Sequence, residues 1–530
     1  MKNQVQLIAY ADRFGDTLRG LEGLLQTRLS GLFGAIHLLP FFHPIDGVDA
    51  GFDPIAHTEV DPRLGSWADV RAIAAEVDVL ADVIVNHISS HSRQFLDFLA
   101  KGAESAYANM FLTFDGVFPD GATEDELLAI YRPRPGLPFT TMSLADGARR
   151  ILWTTFTPEQ IDLDVYDAEG IRYLDDILST FAANGIRMIR LDAVGYAVKR
   201  AGSSCFMTDE TFEFIRDFSE RAKRLGLEVL VEVHSYYRRQ IEIAAHVDWV
   251  YDFALPPLVL HAFFFGTAIH LRQWIEVRPV NALNVLDTHD GIGIIDIGPD
   301  TQDRSNSPGL VSDDELARLV EQIHVNSDGE SLEATGAAAT NLDLYQVNCT
   351  FYDALGRDDL RYLLCRAIQF FLPGVPQVYY VGLLAGHNDM QLLARTGIGR
   401  DINRHVYTRT EIDYALERPV VADLLELIRL RSSHAAFAGK FELAPSPDDA
   451  LDLRWRNGRQ FAHLFVNLAT CEYRLEFSLD GATEAFSFRV EAGKPQGPEG
   501  AADDAAHRRG NVASVERRAS ASATSEGNGG

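Results

Sequence analysis

The chain has 530 residues, of which 46% are hydrophobic and 10% aromatic, a composition suited to a large soluble core. Its formal net charge of −28 excludes nucleic acid and anionic membrane surfaces as partners, because both demand a basic face. An anionic small molecule stays open only where a local group of arginines overcomes the global field.

In chain order, short β-branched runs predict strands at residues 5–10, 35–39, 79–87, 187–192, 228–233, 247–252, 283–287 and 372–380. Amphipathic stretches at 67–76, 171–183, 209–225 and 358–370 predict helices between them. Strands that alternate with helices pair in parallel through right-handed crossovers, and eight of them fit a (β/α)8 TIM barrel whose active site lies at the C-terminal strand ends. Two spacings exceed a simple crossover and predict insertion domains on that catalytic face. One is rich in Gly, Pro and aromatics and includes Tyr131-Arg-Pro-Arg134-Pro-Gly136; the other opens with a capping box from Ser312 to Glu315 and holds a small-residue run, 334–340.

Beyond about Ser433 the pattern becomes alternating, with Leu451, Leu453 and Trp455, a hairpin signal at Asn457-Gly458, and then Tyr473, Leu475 and Phe477. This predicts a C-terminal antiparallel β-domain. The expected division is a barrel at 1–84, 166–291 and 357–436, insertions at 85–165 and 292–356, the β-domain at 437–493, and a tail at 494–530. The tail lacks Leu, Ile, Met, Phe, Tyr and Trp, so it is expected to be disordered. Cys205, Cys349, Cys365 and Cys471 are scattered without a CxxC spacing and read as reduced. No leader pattern or membrane-length apolar run is present in the sequence, and the expected location is cytoplasmic.

Three acids close apolar runs: Asp192 in Arg190-Leu-Asp192, Glu232 in Val229-Leu-Val-Glu232-Val-His234, and Asp290 in Thr288-His289-Asp290. Carboxylates are costly to bury, so three at strand ends point to one site. Two carboxyls about 5–5.5 Å apart, a nucleophile and a proton donor, are the equipment of retaining glycosyl transfer. Residues two apart on a strand share a face, so Arg190 is expected to keep Asp192 ionised, while apolar neighbours leave a proton on Glu232. Each pair alone fits a structural ion pair or a core hydrogen bond equally well.

Together with Asp82-Val-Ile-Val-Asn86-His87, these segments resemble the four short regions of the α-amylase superfamily. From Met1 to about Phe488 the chain is most similar to that superfamily's sucrose-cleaving phosphorylases. That resemblance rests also on Asp49-Ala-Gly-Phe52-Asp53-Pro54, Asn341-Leu-Asp343-Leu-Tyr345-Gln346 and Gly399-Arg400-Asp-Ile-Asn-Arg404. It implies Asp192 as nucleophile, Glu232 as acid/base and Asp290 as transition-state stabiliser. Asp49, His87, Arg190, His289 and Arg400 would surround a glucosyl ring, with Phe52 and Phe156 as an apolar platform. Tyr196, His234, Asp343 and Gln346 would contact the fructosyl or phosphate side, and Arg134 would bind phosphate.

The implied substrates are sucrose and inorganic phosphate, with no cofactor and no structural metal, in a homodimer. Alternatives are a hydrolase, or a phosphorylase for glucosylglycerol, glucosylglycerate or sucrose 6-phosphate. A barrel that has lost catalysis is the competing class, disfavoured by three intact strand-end acids.

Overall fold

The computed structural model describes residues 1–47, 49–300, 306–337, 346–479 and 482–488. Eight strands close into a parallel barrel in sequence order: β1 (Gln6–Ala9), β2 (Ala35–Leu38), β3 (Asp78–Ile84), β4 (Ile186–Asp192), β5 (Glu228–Val231), β6 (Trp249–Asp252), β7 (Ala282–Asn284) and β8 (Val375–Tyr379). The ring is sealed by β1 against β8, with Gln6 opposite Gln377 and their side chains hydrogen-bonded at 2.9 Å. The expected barrel is therefore present. One predicted strand is divided: 79–87 ends in the barrel at Ile84, and His87–Ser89 pairs instead with Gln160–Asp162 of the first insertion. That antiparallel partner draws the chain out of the ring and leaves His87 at the rim.

The helices follow their local chemistry. Helix α1 (Trp67–Glu76) is opened by a Ser66–Asp69 capping box. Helix α2 (Ala168–Ala183) starts at Asp167. Helix α3 (Asp209–Arg224) carries Asp209 and Glu210 in its first turn and Arg221, Lys223 and Arg224 in its last, matching the helix dipole. Helices α4 (Leu255–Phe265) and α5 (Ile269–Val277) follow β6. Helix α6 (Asp313–Asn326) begins with the predicted Ser312–Glu315 box, and α7 (Asp359–Phe371) precedes β8.

The C-terminal sheet runs β9 (Lys440–Leu443), β10 (Ala450–Asn457), β11 (Gln460–Asn467), β12 (Tyr473–Leu479) and β13 (Ala482–Phe486), all antiparallel. Gly458, at φ +60°, makes the β10–β11 turn that the Asn-Gly pair signalled. Buried Leu451, Leu453 and Trp455 face the barrel, and the Trp455 indole donates to the Phe371 carbonyl at 2.6 Å. The tail 494–530 lies outside the described residues. All four cysteines are unbridged, and no helix among the described residues is long and apolar enough to cross a membrane.

Candidate active site

Register fixes the floor of the site. Arg190 of β4 is level with Asp82 of β3 and Leu230 of β5, so its guanidinium lies beneath the C-terminal rim, 1% exposed. It contacts three carboxylates: Asp82 at 2.5 Å, Asp192 at 3.0 Å and Glu232 at 2.5 Å. Asp192 and Glu232 occupy its two terminal nitrogens. His37 holds the other oxygen of Asp82 at 3.0 Å.

One cation among three carboxylates leaves a surplus of negative charge, which bears on Asp82 and Asp192. Burial alone would raise Asp82, but His37 and Arg190 outweigh it and hold that carboxyl well below the ordinary range. Asp192 goes the other way. Burial pushes it well up, and the charges of Glu232, Asp82 and Asp49 add to burial against the pull of Arg190. Burial therefore opposes the ionisation that Arg190 favours at Asp192, and the guanidinium that answers it is shared three ways.

Directly after Asp192 the chain takes a left-handed turn at Ala193, φ +54°. It leads through buried Tyr196, whose ring packs edge-on against Phe156 at 5.2 Å and tilted against Phe206 at 4.7 Å. Tyr131 stacks on Phe206 at 4.6 Å and so completes an aromatic wall that joins Tyr131 and Phe156 of the first insertion to Tyr196 and Phe206 of the segment after β4.

Asp290 faces the pair from the loop after β7. Burial would raise its carboxyl, but Arg400 at 2.9 Å, with Arg404, holds it well below the ordinary range. His289 is buried, stacks on Phe52 at 4.9 Å, and is kept neutral by that burial. The Arg190 guanidinium lies over the same Phe52 ring at 5.5 Å. His87 Nε2 stands 3.0 Å from the Phe52 carbonyl oxygen, so three barrel segments converge on this one aromatic.

His234 stacks on Phe253 at 3.7 Å and meets Asp296 at 2.9 Å and Gln346 at 3.2 Å. Burial works against its charge, but the Asp296 carboxylate wins and raises its pKa. An oxygen of Glu232, a ring nitrogen of His234 and an oxygen of Asp290 lie within 4.8 Å of one another.

A cavity of about 350 Å³, within the range of small-molecule sites, opens above this floor. Asp192, Glu232, Asp290, Asp49, Phe52 and His87 line it, as do Arg134, Phe156, Tyr196, His234, His289, Gln346 and Arg400. Arg190 sits beneath it, and Asp343 lies outside the described residues. The structure adds Tyr131, Arg132 and Phe206 to the lining, and Asp82, Asp296 and Arg404 behind it. Asp82 and Arg404 stand inside motifs already visible in the sequence, whereas Phe206 and Asp296 come from loops without local signal. The Asn86 side-chain oxygen accepts from the Lys199 ammonium at 2.7 Å, beside Asp162 at 2.6 Å.

No family model matches the sequence. A sucrose phosphorylase from Agrobacterium vitis is 59% identical over 470 residues, 88% of this chain and 96% of that protein. One from Bifidobacterium adolescentis is 56% identical over 86% of this chain and 90% of its own length. Relatives named for glucosylglycerol and sucrose 6(F)-phosphate reach 39% and 38%. Among solved structures, the sucrose 6F-phosphate phosphorylase of Thermoanaerobacter thermosaccharolyticum superposes with a TM-score of 0.84 at 37% identity, over 92% of this chain and 98% of that one.

Proposed function

The chain belongs to the family of sucrose phosphorylases and kindred glucoside phosphorylases within the α-amylase superfamily, and from that premise we propose that it catalyses the reversible phosphorolysis of sucrose to α-D-glucose 1-phosphate and D-fructose. The observation that carries the reading is the seating of Asp192 and Glu232 on adjacent nitrogens of Arg190, on the floor of a pocket faced by ionised Asp290. The 59% and 56% identity to two relatives named for sucrose, against 39% and 38% to those named for glucosylglycerol and sucrose 6(F)-phosphate, favours sucrose as the donor.

The chemistry is a double displacement. Asp192 forms a bond to the anomeric carbon as the bond to the fructosyl oxygen breaks, and Glu232 gives a proton to that oxygen. Fructose leaves and a β-glucosyl ester on Asp192 remains. Phosphate then enters from the side fructose vacated, Glu232 takes its proton, and the attacking oxygen displaces Asp192, giving net retention. Asp290 opposes the positive charge that develops on the ring in both steps. Arg134 supplies the fixed cation that phosphate needs in a molecule of charge −28. Nucleophile, proton donor and counter-charge are all side chains, so the reaction calls for no cofactor.

The test is incubation of the purified chain with sucrose and phosphate. Glucose 1-phosphate as the main product supports the reading. Free glucose means a hydrolase, and turnover only with glucosylglycerol, glucosylglycerate or sucrose 6-phosphate moves the donor. A cytoplasmic homodimer belongs to the same proposal, and light scattering of the purified chain tests the assembly.

A further inference from the structure

Away from the sugar pocket, two imidazoles and a carboxylate converge from three helices: His261 on α4, His270 on α5 and Glu315 on α6. Glu315 divides its oxygens between two tasks. Oε2 accepts from the backbone N–H and hydroxyl of Ser312, at 3.0 and 2.7 Å, and so caps α6. Oε1 is left facing His270 Nε2 at 3.1 Å and His261 Nε2 at 3.5 Å. His261 is 2% exposed, and its Nε2, aimed into this cluster, makes no hydrogen bond. A buried ring nitrogen without a hydrogen bond is costly, and its placement wants an occupant.

The spacing identifies the occupant. Tetrahedral zinc, with ligand atoms about 2.0–2.2 Å away, holds those atoms about 3.3–3.6 Å apart. The Glu315-to-His261 edge, 3.5 Å, already has this length, the Glu315-to-His270 edge, 3.1 Å, is slightly shorter, and all three ligand atoms lie within 4.8 Å of one another. We propose that His261, His270 and Glu315 form a binding site for a divalent transition-metal ion of the zinc type, with its fourth position open to water.

Burial, with the nearby His270, pushes His261 down to about 4, so the ring is a neutral base. Burial opposes ionisation of Glu315, but the bonds from Ser312 hold it at about 2. Arg318, over the Phe265 ring at 4.5 Å, is the nearby charge that opposes a cation and limits affinity. None of the three ligands lines the pocket, so the ion is a structural tie between the second insertion and the barrel helices.

The full chain, stripped with a chelator, is titrated with Zn²⁺ against a chromophoric competitor, and its melting midpoint is followed. One ion per chain and a raised midpoint are expected. His270→Ala should lose affinity by more than the roughly 10–100-fold that removal of an outer-shell partner costs, and lose the midpoint rise. Co²⁺ should give the visible d–d bands of tetrahedral coordination in the parent and not in the variant. Should His270→Ala fail to fold, His270→Gln, which keeps a polar contact but is a poor ligand, replaces it. Absence of Zn²⁺ binding overturns the proposal. So does binding that survives the His270 variant and is lost in Glu232→Gln, since the ion would then sit on Glu232, His234 and Asp290.

Discussion

Arg190 stands level with Asp82 in the β3–β4 register and meets its carboxylate at 2.5 Å, so the guanidinium under Asp192 and Glu232 is drawn partly away from them. Asp82→Asn should release that hold. Removing one negative charge and freeing the cation both lower the Asp192 pKa, so the acid limb of kcat/KM should move to lower pH. Breaking a buried pair should also cost about 3–5 kcal/mol of stability. Paired pH-rate and urea-unfolding measurements separate the two effects, and an acid limb moved upward contradicts the charge argument.

In the parent enzyme the nucleophile must be ionised, and burial raises the Asp192 pKa. Activity therefore falls as pH drops through a value above the ordinary Asp figure of about 3.9. A kcat/KM profile for sucrose still flat at that pH would contradict the environment described for Asp192.

Asp192→Asn removes the attacking oxygen and should reduce turnover on the order of 10⁴-fold or more. Glu232→Gln should be as severe with sucrose, whose leaving alkoxide needs a proton, but much milder with α-glucosyl fluoride, which needs none. Equal losses on both substrates would count against the proton-donor role.

Arg134→Ala tests the phosphate side. Loss of a charge-assisted contact worth about 1.5–3 kcal/mol raises KM for phosphate roughly 10–100-fold. Slow hydrolysis of sucrose without phosphate should continue. A variant with unchanged KM for phosphate would place the anion elsewhere.

Acid stability follows from a buried imidazole. His57 is 1% exposed, and burial outweighs its bond to the Asp82 carbonyl, lowering its pKa to about 4. A depressed folded-state pKa means that the unfolded chain binds the proton first. Stability from this group is complete above about 6.5 and is lost as pH falls toward 4, up to about 3 kcal/mol. Denaturation midpoints at several pH values check this, and a midpoint constant from pH 7 to 4 would contradict it.

The barrel was legible because each stave is a short β-branched run, and because the site acids end such runs, as Asp192 and Glu232 do. The motifs also placed Arg400 and His289, since loops fixed by a rigid ring leave little freedom. What stayed hidden depends on distant partners. Nothing near His234 announces Asp296, 62 residues away, and nothing near Tyr196 announces that Phe206 and Tyr131 will pack on it. The upward shift of Asp192 was hidden for the same reason. Arg190 lies two residues from one of its three acids, while the other two arrive from neighbouring strands. Asp343 falls among residues 338–345, outside those described.

The seam between β1 and β8 joins the beginning of the barrel to a strand more than 360 positions later. During synthesis the first stave must therefore wait, one edge unsatisfied, until the eighth leaves the ribosome. The interval exposes a hydrogen-bonding edge to other growing chains, and slow translation over that stretch would lengthen the exposure.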